Sequence, residues 1–185
     1  MEDIAVAICF VAGAWLLADF WSGFFHWWED RYLTVDMPII GPLVAGPNER
    51  HHSRPNFFIT DTTYWYRNWT TIVPAAFIAA ILGYYGQWFL CLSFVFLTQA
   101  NEIHAFAHMN HNKLPWWILM LQEVGLFQSG KTHGKHHISP YAIRFCVMSE
   151  FLNPFLDRLR FWRGLEWIVE KQMGIKVKDV EATPA

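Results

Sequence analysis

Apolar positions dominate the first twenty-five residues. Ile4 to Phe25 is an apolar run whose only ionisable member is Asp19. As a helix it would reach about 33 Å, enough to cross a ~30 Å hydrocarbon core. It lacks a basic leading segment and a clear small-x-small cleavage motif, so it is expected to remain as an anchor. A second apolar block, from about Trp69 to Ala100, is too long for one crossing and carries Gly83-Tyr84-Tyr85-Gly86 near its middle. Those glycines favour a turn. The block is expected to form two antiparallel helices, over about 63–83 and 87–109, the second continuing into Asn101-Glu102-Ile103-His104. The Pro- and Gly-rich stretch 36–56 reads as a loop. Leu114 to Gln128 is apolar but short and contains Glu123, which suits an interfacial or re-entrant segment. Residues 140–170 mix Phe, Leu and Trp with Arg158, Arg160 and Arg163, as an amphipathic surface helix would. From Lys176 a disordered polar tail is expected. The pattern predicts an all-α protein, a multi-pass membrane helical bundle with about three spanning helices plus interfacial helices. Residues 1–175 would be one domain and 176–185 its tail.

Composition agrees with a membrane setting. The 185 residues are 54% hydrophobic and 16% charged, and aromatics reach 18% with eleven Trp, which fits interfacial belts. Trp27, Trp28, Trp116 and Trp117 are expected to be such anchors. Cys9, Cys91 and Cys146 are far apart, form no C-x-x-C pair and read as packing residues. No nucleic-acid partner is expected.

Eight of the nine histidines fall in four groups beside apolar segments: His26, His51-His52, His104 with His108, and His133 with His136-His137. Three crossings would bring all four groups to one face of the membrane, which two or four intervening spans would not. All fourteen Lys and Arg lie on that same side, so the positive-inside rule makes the histidine face cytoplasmic. A bacterial inner membrane is favoured over the endoplasmic reticulum.

Residues three and four apart on a helix share a face, so each group can offer nitrogens to one point. Histidine is the commonest metal ligand. Eight imidazoles exceed the needs of one ion and suit two metals about 3.5–4 Å apart. Nitrogen ligands do not choose among Fe, Zn, Cu and Ni. Chemistry on inert alkyl chains does, because it needs O₂ activation, which zinc cannot supply. There is no H-E-x-x-H, so a zincin lacks its general base. A single H-x-x-x-H could also bind haem, which leaves a non-enzymatic membrane haem or metal carrier as an alternative of another class. Asp19 lies two turns before His26 on the same helical face and could orient its imidazole, or hydrogen-bond between spans. Asn101, three residues before His104, could act similarly. His111 reads as an outer residue.

The strings A-D-F-W-S-G-F-F-H-W, V-D-M-P-I-I-G, R-H-H-S-R-P, N-E-I-H-A-F-A-H, H-G-K-H-H-I-S-P and F-L-N-P follow one another along the chain. Together they resemble the lipid desaturase domain of the plasmanylethanolamine desaturase (CarF/Kua) family, which includes a plastid desaturase of phosphatidylglycerol. Ordinary acyl desaturases, with one H-x-x-x-H and two H-x-x-H-H boxes, are less similar, since Asn48 stands where the second box would want His. The resemblance implies that His26, His51, His52, His104, His108, His133, His136 and His137 carry the metal chemistry. It also implies a diiron centre that is reduced, binds O₂ and abstracts hydrogen. The implied reaction converts the 1-O-alkyl chain of an ether phospholipid to the vinyl ether of a plasmalogen. The alternative is acyl-chain desaturation of an intact phospholipid such as phosphatidylglycerol. No nucleotide-binding Gly-rich turn is present. Two electrons from NAD(P)H are therefore expected through a cytochrome b5-like or ferredoxin-like carrier and its reductase. Basic residues could dock that acidic carrier or anionic membrane lipids.

Overall fold

The computed structural model describes residues 2–178, and all regular structure among them is helical. The first apolar run forms α1 (Glu2–Tyr32), a 31-residue helix that extends well past the expected end. A short π-helical turn (Gly41–Ala45) leads into α2 (Gly46–Ser53) and α3 (Phe57–Thr60). The stretch expected to be a loop is therefore largely helical. Pro42 and Pro47 fall in the first turns of the π and α2 helices, where a missing N–H costs nothing.

The second block divides at the glycines. α4 (Tyr64–Tyr84) starts at Thr63, whose side chain accepts from the Tyr66 N–H, and α5 (Trp88–Leu97) follows. Gly86 takes φ +72° in the connection, a conformation that suits a residue without Cβ. A break at Thr98-Gln99 separates α5 from α6 (Ala100–His108). α1 and the stretch Trp88–His108 are each long and apolar enough to cross a membrane. Small residues line the helix contacts. Ala18, Ala75, Ala79 and Ala100 pack with Phe94, Leu97 and Ile103 in one core cluster. Small residues at such contacts let backbones approach closely, a packing mode that suits helix association in lipid.

The C-terminal third departs from the expected single amphipathic helix. α7 (Trp116–Glu123) and α8 (Gly130–His133) are short, residues 139–151 carry no regular helix, and α9 (Leu152–Arg158) and α10 (Phe161–Met173) come after them. Irregular backbone beside a spanning helix is tolerated only if its polar groups are satisfied by protein. Here side chains do so. Asp19 Oδ1 accepts from the N–H groups of Met148 and Ser149, and Oδ2 from the Ser149 hydroxyl at 2.6 Å. Ser22 accepts from the Val147 N–H, while Asn153 and Gln128 bond the backbone of Cys146. Gly23 permits the approach, since a Cβ there would stand 2.9 Å from the Cys146 nitrogen. Asp19 thus ties residues 148–149 to α1 and does not bond to His26, which corrects the orienting role first considered for it. Asp19→Ala would strand three buried donors at about 1–3 kcal/mol each. We expect a clear fall in thermal melting temperature in detergent, larger than for Cys9→Ala on the exposed face of α1.

Trp27 also differs from expectation. It is buried, packing with Phe145 and Trp162, whereas Trp28, Trp116 and Trp117 are exposed. Of the polar tail expected over 176–185, residues 179–185 lie outside the described residues. Lys178 binds back to the end of α1, donating to the carbonyl of Leu33 at 2.8 Å.

Candidate metal centre

The histidine groups meet, but along different lines from those of the sequence. His51 of α2, His104 and His108 of α6, His133 of α8 and His137 bring ligand nitrogens within 4.8 Å of one another. His104 Nε2 is their hub, 2.7 Å from His133 Nε2 and 3.2 Å from those of His51 and His108. His26, His52 and His136 converge with Asp30 in a second group of the same tightness. Asp30 Oδ1 lies 2.9 Å from His52 Nε2, and its Oδ2 lies 3.1 Å from His136 Nε2 and 3.5 Å from His26 Nε2.

Helix geometry explains the sorting. His104 and His108, four apart on α6, share a face, and His133 at the end of α8 and His137 in the turn after it enter the same group. Neighbours His51/His52 and His136/His137 point in different directions and divide between the two. The doublets therefore join the groups, whose rings approach within 4.9 Å at His52–His137 and 5.5 Å at His26–His104.

The donor set fits metal ions. His26 Nδ1 lies 3.0 Å from the Phe145 carbonyl and His136 Nδ1 lies 2.8 Å from that of Ile143. A carbonyl can only accept, so both Nδ1 atoms donate, and in the neutral ring each Nε2 is left with its lone pair. Those Nε2 atoms, with Asp30 Oδ2, are buried without a hydrogen-bond partner. Such acceptors are expensive to leave unmet, and a cation meets all three. In the first group, burial holds His51 and His133 well below the ordinary imidazole pKa and brings His137 down to about 2, with neighbouring imidazoles adding to the effect. Neutral rings keep their lone pairs for a metal.

Asp30 is the site residue that sequence reasoning missed. Its signal was its place four residues after His26 on one helix. Asn48, the departure from the H-x-x-H-H pattern, donates to Asp30 Oδ1 at 2.7 Å and so supports a ligand. Asn101 Nδ2 donates to the Arg67 carbonyl and braces α6 against α4, without touching an imidazole. His111 is exposed and outside both groups.

A cavity of about 420 Å³ opens directly on this centre, with His26, His51 and His104 in its wall. The rest of its lining is mainly apolar, including Phe25, Phe58, Ala75, Ile78, Phe94 and Leu97. That volume lies within the usual range for small-molecule sites.

Comparison with known proteins agrees with the geometry. The chain is 32% identical to a probable fatty acid desaturase of Acanthamoeba polyphaga mimivirus, over 90% of this chain and 84% of that protein. It is 33% identical to plasmanylethanolamine desaturase 1 of Mus musculus, over 90% of this chain and 65% of the relative. It is 31% identical to the chloroplastic fatty acid desaturase 4-like 1 of Arabidopsis thaliana, over 88% of this chain and 56% of the relative. No solved structure matches. The lipid desaturase domain model matches residues 15–180, and the chain belongs to that family.

Proposed function

We propose that this protein is a membrane diiron lipid desaturase that converts the 1-O-alkyl chain of an ether phospholipid to a vinyl ether. The observation that carries this reading is the opening of both ligand groups onto one apolar cavity, through His26 on one side and His51 and His104 on the other. Such a site suits oxidation of a hydrocarbon chain.

The first iron would be held by His51, His104, His108, His133 and His137, and the second by His26, Asp30, His52 and His136. When bound, the pair supplies O₂ activation and hydrogen abstraction from the chain. Overall, one –CH₂–CH₂– unit becomes –CH=CH–, and its two hydrogens combine with O₂, two electrons and two protons to give two waters. The electrons come from NAD(P)H through a cytochrome b5-like or ferredoxin-like carrier and its reductase. The chain's own residues fix the imidazoles through the Phe145 and Ile143 carbonyls, keep the centre dry and place the lipid against it. The ether oxygen weakens the adjacent C–H bond and can stabilise the resulting radical or cation, which favours reaction at C1–C2. Three crossings, by α1, α4 and the stretch Trp88–His108, would set the centre at the cytoplasmic leaflet beside the headgroups.

Acyl-chain desaturation of an intact phospholipid is the second reading, favoured by the fatty acid desaturases among the relatives. Lipid analysis after expression in a host supplied with alkylglycerol separates the two. Acid-labile vinyl ethers are expected. A new acyl double bond without them would transfer the assignment to the second reading.

A further inference from the structure

The cavity has two unlike ends. Trp28, Ile40, Leu43, Tyr66 and Trp69 line it and are exposed, marking a mouth between the end of α1, the π-helical turn and the start of α4. Ser22, Ala75, Phe94, Leu97 and Val147 line it and are buried, marking a floor among the helices. Along α4 the lining runs from Tyr66 to Ile78, about 18 Å of helix. On the facing side it runs from His104 back to Phe94, so the histidines lie above the floor. Pro74 lies within this stretch of α4 and has no N–H to return to the Thr70 carbonyl. Thr70, Thr71, Pro74, Ala75 and Ile78 all face the space beside that interruption.

We propose that the floor built by Ala75, Ile78 and Phe94 measures the lipid chain, selecting substrates by how many carbons extend past the ligand groups. The inference rests on the lipid-desaturase reading and adds the residues that set chain-length preference. A chain inserted end-first fills the space down to Phe94, with its carbons nearest the headgroup beside His26, His51 and His104. One methylene too many must displace packed side chains, and one too few leaves a void. Pocket discrimination of this kind is worth roughly tenfold or more per methylene.

Ala75 and Ile78 allow changes of opposite sign. Ala75 is buried in the core cluster and Ile78 packs at its edge. Ala75→Leu raises the floor and Ile78→Ala lowers it. The test measures products from cells expressing wild type or either variant and fed 1-O-alkylglycerols of graded length. Alongside, the melting shift of metal-free protein in detergent is measured with saturated phospholipids of the same chain series. The expected result is an optimum displaced to shorter chains by Ala75→Leu and to longer chains by Ile78→Ala, by about tenfold in relative use at the flanking lengths. If Ala75→Leu fails to fold, Ile78→Ala decides alone. Reduced total product with the wild-type chain profile in both measurements would overturn the proposal. A shifted melting profile without any unsaturated product from wild type would leave the chain-measuring floor standing and refute the desaturase reading.

Discussion

His104→Ala is expected to abolish desaturation while the protein stays in the membrane. His104 Nε2 lies within 3.2 Å of three other ligand nitrogens, so its loss removes the atom around which the five-histidine group closes. Mutating the outer partners of metal ligands already costs about 10–100-fold in affinity or activity, and loss of a central ligand is expected to exceed that. Its ring is buried among other imidazoles and Phe58 and lies outside both hydrophobic core clusters. The expected readings are desaturated-lipid formation reduced by at least ~100-fold and a lower iron content. The melting temperature of the metal-free variant should stay close to that of metal-free wild type. A variant that loses iron and keeps its fold separates ligation from packing. Wild-type turnover by His104→Ala would remove the five-histidine group from the mechanism.

Asp30→Asn carries the second large effect. Among the described residues Asp30 supplies the only carboxylate of either group, with His52 and Asn48 on Oδ1 while the unpartnered Oδ2 faces His26 and His136. Asparagine keeps the size but withdraws the charge that offsets a cation, and its amide nitrogen cannot ligate. The Nε2 atoms of His26 and His136 would then lose their anionic neighbour while their Nδ1–H groups stay bound to Phe145 and Ile143. The expected outcome is selective weakening of one metal position by at least ~10-fold, read as one tightly held iron per chain against the two proposed for wild type. Activity should fall with the weakened position. Asp30→Glu is expected to recover part of the second iron. Equal loss of both irons would show that the groups do not fill independently.

Much of this centre is readable in the chain. The histidine spacings pointed to clusters that could hold metal, and the Gly-Tyr-Tyr-Gly break divided the second apolar block where α4 and α5 part. Hydropathy and turn chemistry are local signals, and they served where local physics decides. Asp30 escaped notice because W-W-E-D reads as the polar end of an interfacial helix, although its i+4 relation to His26 was visible. The doublets looked like chelating pairs; only the local backbone, helical at His51-His52 and a turn at His136-His137, points neighbours apart and assigns them to different groups. Asp19 stood out as a charge within an apolar run, yet its partners, Met148 and Ser149, lie about 130 residues away in irregular backbone. Segments such as 143–149 have no period to detect, since side chains from α1 and α9 hold them and no ladder of their own does. The carbonyls that orient His26 and His136 belong to that segment, so the support of the centre was the least legible part of it.

Paired ligand groups holding two irons against a lipid chain are the central proposal for this protein. Protein purified without oxygen and assayed for metal tests this most directly. Two non-haem iron atoms per chain, falling to about one in Asp30→Asn, is the predicted result. Undiminished lipid desaturation with one iron or none per chain, or iron present only as haem, would contradict it.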